Sequence, residues 1–93
     1  MAHVLIIHEV DDYAAWKAVF DGAAGIRAQA GEISYQVLRH EDEPHRIVHF
    51  SAWTSTRAAR AFFESPELAA IRKAAGVRSP TFHYLDQLES GTL

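Results

Sequence analysis

The sequence has no cysteine, which excludes disulfides, thiolate metal sites and cysteine nucleophiles and suits a reducing cytoplasm. Long apolar runs are missing too. The first one, Val4-Leu5-Ile6-Ile7, is flanked by His3 and His8 with no basic stretch before it. That is too short for a signal peptide or a membrane span. Positive charge is sparse: 9 Lys and Arg against 12 Asp and Glu give a net charge of −3 with histidines neutral. The basic residues are scattered, so neither nucleic acid nor membrane is an expected partner. No internal repeat, low-complexity tract or linker interrupts the chain.

What is there is an ordinary globular balance, with 48% hydrophobic and 23% charged residues, in a chain of 93. That composition argues against wholesale disorder. It predicts one domain over 1–93, with 90–93 a loose tail. A domain this small buries only roughly 60–65% of the surface its unfolded chain exposes. Sharing a second apolar surface with a twin subunit relieves that limit, so a homodimer is expected.

Residues 2–9, rich in Val, Leu and Ile, predict a strand that ends at Asp11-Asp12, one of which caps a helix. Trp16, Val19, Phe20, Ala23, Ile26 and Ala30 then recur at helical spacing. Gly22 and Gly25 within that helix suggest close backbone packing, and Gly31 is a stop signal. "ISYQVLRH" (33–40) and "RIVHFSAW" (46–53) read as a hairpin around the polar "EDEPH" (41–45). A helix holding Ala58, Ala59, Phe62 and Phe63 follows. It breaks and restarts at Ser65-Pro66, with Ser as cap and Pro at the first helical position. The second piece carries Leu68, Ile71 and Ala75 and stops at Gly76. A fourth strand spans 80–89. The order β-α-β-β-α-β predicts an α+β, ferredoxin-like fold: a four-stranded antiparallel sheet in the order four, one, three, two, with helices on one face.

Period-two alternation divides the strands into two faces. Leu5, Ile7, Ile33, Tyr35, Val37, Val48, Phe50, Ala52, Phe82 and Tyr84 are expected beneath the helices. Val4, Ile6, His8, Ser34, Gln36, Leu38, His40, Ile47, His49, Ser51, Trp53, Thr81, His83, Leu85 and Gln87 form the other face. That second set is too apolar for open water and too rich in histidine for a dry core. It suits a surface half covered by a partner and half lining a pocket. On this reading His8, His49 and His83 converge. Such a set matches the ligand number of an open metal site, but no Asp or Glu on the same face supports it, so no metal is assigned.

The stretches "HEVDDYAAWKAVFD" (8–21), "HFSAW" (49–53) and above all "ARAFFESPELAAIRKAAGV" (59–77) carry a resemblance. Over residues 2–89 the sequence resembles the antibiotic biosynthesis monooxygenase-like proteins of the dimeric α+β-barrel superfamily. The resemblance implies that two sheets pair into a barrel. It also implies activity without a cofactor: oxidation of polycyclic aromatics by molecular oxygen, or cyclisation or isomerisation of small substrates. Polyketide-oxidising relatives place an amide and a Trp four residues apart on strand three. Here His49 and Trp53 keep that spacing, with His in place of the amide. The Tyr those relatives carry on the next helix falls near Ala59. Haem-degrading relatives need a His on that helix, and the position falls near Arg72, so haem is not expected.

His49 is therefore the candidate base, since a neutral imidazole titrates near neutrality. Removing a proton from an electron-rich phenol or acidic C–H would let the anion reduce oxygen or close a ring. Trp53 is the candidate stacking wall and N–H donor. His8, His83, Ser51 and Gln36 are candidate substrate-binding residues for a small aromatic ligand. Ser51 and Ser34 have no triad pattern around them. The alternative is a non-catalytic dimeric ligand-binding or structural protein on the same fold.

Overall fold

Side-chain caps decide where the helices begin. Asp12 accepts from the Ala15 amide at 3.0 Å, Ser55 from Ala58 at 3.0 Å and Ser65 from Leu68 at 3.3 Å, each satisfying a donor the first turn leaves free. The computed structural model describes all 93 residues. In chain order the elements are β1 (Ala2–Val10), α1 (Tyr13–Gly22), α2 (Ala24–Ala30), β2 (Glu32–Arg39), β3 (Arg46–Trp53), α3 (Thr56–Phe63), α4 (Pro66–Ala74) and β4 (Val77–Asp86). The single helix expected after β1 is two, parted at Ala23. The fourth strand starts at Val77, earlier than expected, and takes in Pro80. An edge strand tolerates a proline because one side of its ladder is unpaired.

The sheet order is β2-β3-β1-β4, antiparallel throughout. This is the α+β, ferredoxin-like arrangement. Its register corrects the assignment of faces. Ala2 opposes Trp53, Val4 opposes Ser51, Ile6 opposes His49 and His8 opposes Ile47. All eight are buried, beneath the helices, so the polar face of β1 and β3 is the covered one. Leu5, Ile7, Val48 and Phe50 lie on the outer face and are only half-buried. Tyr35, Val37, Phe82 and Tyr84 turn towards the helices as expected, since they pair with the inward residues of β3 and β1.

Two apolar clusters hold the layers together. One gathers Val4, Ile6, Trp53, Ala59 and Phe63; the other gathers Val10, Trp16, Phe20, Ile47 and Ala75. Trp53 is fully buried, and truncating such a side chain to Ala costs about 3–5 kcal/mol. The seam between the clusters is not filled, and it is there that the sheet's buried polar groups lie.

Candidate active site

β3 projects His49 into this seam, and its Nε2 lies 2.8 Å from Glu32 Oε2. The other carboxylate oxygen of Glu32 accepts from Arg27 Nε at 2.6 Å. Arg27 also donates through Nη1 to the Phe20 carbonyl, near the joint between α1 and α2. Its guanidinium lies 3.7 Å from the centroid of the Phe20 ring. A chain Arg27–Glu32–His49 thus runs from helix to sheet, with every member's side chain almost wholly buried. Burial pushes the Glu32 carboxyl up, but hydrogen bonds from His49 and Arg27, and their charges, outweigh it and hold the group below its usual value. Glu32 is therefore ionised and can only accept. The proton of a neutral His49 must then reside on Nε2, which puts the ring's lone pair on Nδ1.

Between the helices and the sheet lies a cleft of about 70 Å³, lined among others by Ile6, His8, Trp16, Phe20, His49, Phe63, Ile71 and Arg72. The lining is mostly apolar, with the two histidines on the sheet side. His8 sits where the β1–β4 register slips between Ile7 and Glu9, a bulge of the kind that re-aims a side chain. It is 5% exposed, and neither ring nitrogen has a hydrogen-bond partner. Burial first, then the neighbouring His49 and Arg72, lower its pKa to about 4. At neutral pH His8 is an uncharged ring with one donor and one acceptor unfilled.

The other residues singled out by sequence are dispersed. Trp53 and Ser51 lie beside the cleft rather than in it, and the indole N–H donates to Ser51 Oγ at 2.8 Å. The donor expected to face a ligand is already engaged. Gln36 and His83 are exposed on the outer face, where His83 opposes Leu5. The three-histidine convergence is therefore not formed, because alternation puts His83 through the sheet from His8 and His49. Sequence reasoning missed Arg27 and Glu32. The signal was present: Trp16, Phe20, Ala23, Arg27 and Ala30 continue the buried stripe, with Arg27 5% exposed, whereas Ile26 is 43% exposed. A charged residue on an apolar stripe asks for a buried partner.

Architecture and cleft together define a ferredoxin-like α+β domain with an apolar cleft between helices and sheet. Residues 4–74 match the model of the antibiotic biosynthesis monooxygenase family, and the chain belongs to that family. None of the curated proteins matches the sequence. The fold is similar to that of SnoaB, a cofactor-independent oxygenase from Streptomyces nogalater, at 18% identity and TM-score 0.76 over 96% of this chain and 94% of that one. It is similar to Rv0793 from Mycobacterium tuberculosis, at 21% identity and TM-score 0.68 over 99% and 100%. A monooxygenase from the gene ActVA-Orf6 of Streptomyces coelicolor, solved with the ligand nanaomycin D, is 18% identical with TM-score 0.66 over 99% and 91%. No helix is long and apolar enough to cross a membrane.

Proposed function

We propose that this chain is a cofactor-independent oxygenase of small phenolic or polyketide-type aromatics, with His49 as its general base. The observation that carries the reading is the buried Arg27–Glu32–His49 chain on the wall of an apolar cleft. A carboxylate hydrogen-bonded to one imidazole nitrogen fixes the tautomer and stabilises the cation formed when the other nitrogen takes a proton. His49 Nδ1 takes the phenol proton. The phenolate then passes electrons to molecular oxygen as a C–O bond forms at a ring carbon bearing hydrogen. Loss of water from the resulting hydroperoxide takes that hydrogen and leaves a carbonyl. One phenol and one O₂ thus give one quinone and one water. The relation to a cofactor-independent oxygenase and to a nanaomycin D complex supports the substrate class. Trp53 and Ser51 are positioning residues behind the cleft: Trp53 packs on Phe63, whose ring lies 6.3 Å from that of His49.

The protein works as a homodimer in the cytoplasm, its outer sheet face meeting the same face of a second copy. That face carries half-buried Leu5, Ile7, Val48 and Phe50, and no helix covers it. Leu38 and Leu85, 48% and 41% exposed, extend it. Gln36 and His83 belong to this interface rather than to the cleft.

Oxygen uptake on a panel of hydroxylated one- to three-ring aromatics, with chelator present, tests the reading. His49→Ala is expected to lower kcat by about 10²–10⁴-fold. An undiminished rate in that variant would remove His49 as the base. Binding of aromatics with no uptake from any of them would make the protein a ligand-binding member of the family.

A further inference from the structure

Arg27 and Arg72 both line the cleft, yet only one is neutralised. Arg27 is paired with Glu32. Arg72, on α4, donates through Nη1 to the Phe63 carbonyl at 3.0 Å, rests 5.0 Å from the Phe82 ring centroid, and pairs with no carboxylate. Its guanidinium is partly buried, and burial lowers its pKa, opposed only by the neighbouring Tyr84 phenol and by no carboxylate. A cation taken from water without a counter-ion is costly, and this one stands in the same cleft as His8, whose two ring nitrogens are also unfilled.

We infer that Arg72 and His8 form a carboxylate subsite at the α4 side of the cleft, so that the ligand is an aromatic acid rather than a neutral phenol. Arg72 supplies the charge and the neutral His8 ring supplies an N–H donor, while its second nitrogen accepts from a hydroxyl of the ligand. A charged His8 would face two cations, His49 when protonated and Arg72; as a neutral ring it adds a hydrogen bond without repulsion. The apolar walls formed by Trp16, Phe63 and Ile71 take the ring. The subsite rests on the same cleft as the oxygenase reading and narrows its substrate to hydroxylated aromatic acids.

Calorimetric binding at neutral pH of salicylate and of its uncharged analogue salicylamide, measured on the full chain, tests it without turnover. Salicylate should bind at least tenfold more tightly. Arg72→Gln should bring that ratio close to one by weakening salicylate far more than salicylamide, with an unchanged far-ultraviolet circular dichroism spectrum reporting that the fold is intact. Arg72→Lys should restore part of the ratio. Equal affinity for the two ligands in the unmodified protein, or a ratio unmoved by Arg72→Gln, overturns the subsite and leaves the oxygenase reading standing. Absence of binding by both ligands also overturns the subsite, and the oxygenase reading is then decided by oxygen uptake on the wider panel of aromatics. Arg72-dependent salicylate binding with no oxygen uptake on any phenolic acid keeps the subsite and removes the oxygenase.

Discussion

Glu32 is placed to act through His49 rather than on the ligand. If its carboxylate fixes the tautomer, Glu32→Gln sets an amide against Nε2 that can present a donor there and draw the proton onto Nδ1. The variant should lose about 10²–10³-fold in kcat with a much smaller change in KM, since this contact stabilises charge only as the proton moves. Glu32→Asp should recover part of kcat. Steady-state oxygen uptake separates the two constants, and equal changes in both would make Glu32 merely structural. His8 gives a second prediction. Because its folded pKa of about 4 lies below the ordinary 6.5, the unfolded chain binds a proton between these values that the folded chain does not. Stability is therefore unpenalised above pH 6.5 and falls as the pH drops towards 4, by about 3 kcal/mol at most. Urea unfolding at pH 7 and pH 4.5 should show this loss reduced in His8→Gln, and an NMR titration of His8 with its midpoint near 6.5 would refute the account. His49 was legible at this scale because an imidazole amid strand-formers stands out. Arg27 and Glu32 were not, because their pairing spans a helix end and a strand start that sequence spacing does not connect.

Helix and strand boundaries were written locally, and they were read well wherever a single residue sets them. Ser65-Pro66 and Asp12 do so through caps, and Gly31 does so through its φ of +126°. A Cβ at Gly31 would lie 2.6 Å from Thr54 Oγ1 and 3.4 Å from the Ala58 Cβ. Gly31→Ala should therefore destabilise by about 2–4 kcal/mol, strain and overlap acting together. Gly25 is the opposite case. The close packing expected around it and Gly22 is absent, with nothing within 4 Å of either Cβ position. Gly25→Ala inside α2 should stabilise by about 0.5–1 kcal/mol. Denaturant midpoints for the two variants should move in opposite directions, and a shared direction would refute the contrast. The start of β4 was less legible, because Ser79-Pro80 has the signature of a loop. Ser79 does adopt a φ of +50°, and the strand continues through it because Arg78 is tied to Glu9 and Asp11 across the chain.

At the scale of the whole molecule, topology was legible and facing was not, and the reason bears on assembly. Sorting faces by alternation works when one side meets water and reads polar. Here the covered side carries His8, His49 and Ser51, satisfied by partners or facing a cleft, while the uncovered side carries Leu5, Ile7, Val48 and Phe50. Both sides of such a sheet read as buried because both carry large apolar side chains. A 93-residue chain with helices on one face leaves the other as a ready apolar surface, and a second copy laid across it would close two sheets into a barrel. Phe50, stacked on His3 with centroids 5.2 Å apart, stands on that surface and away from the cleft. Light scattering should give a mass twice that of the 10.4 kDa chain. Phe50→Glu should reduce it to a single chain, because two carboxylates would be driven into an apolar contact without partners. Its far-ultraviolet circular dichroism should persist, since Phe50 supports no helix. A wild-type protein that stays monomeric at micromolar concentration would refute the pairing, and the apolar outer face would then need a different partner.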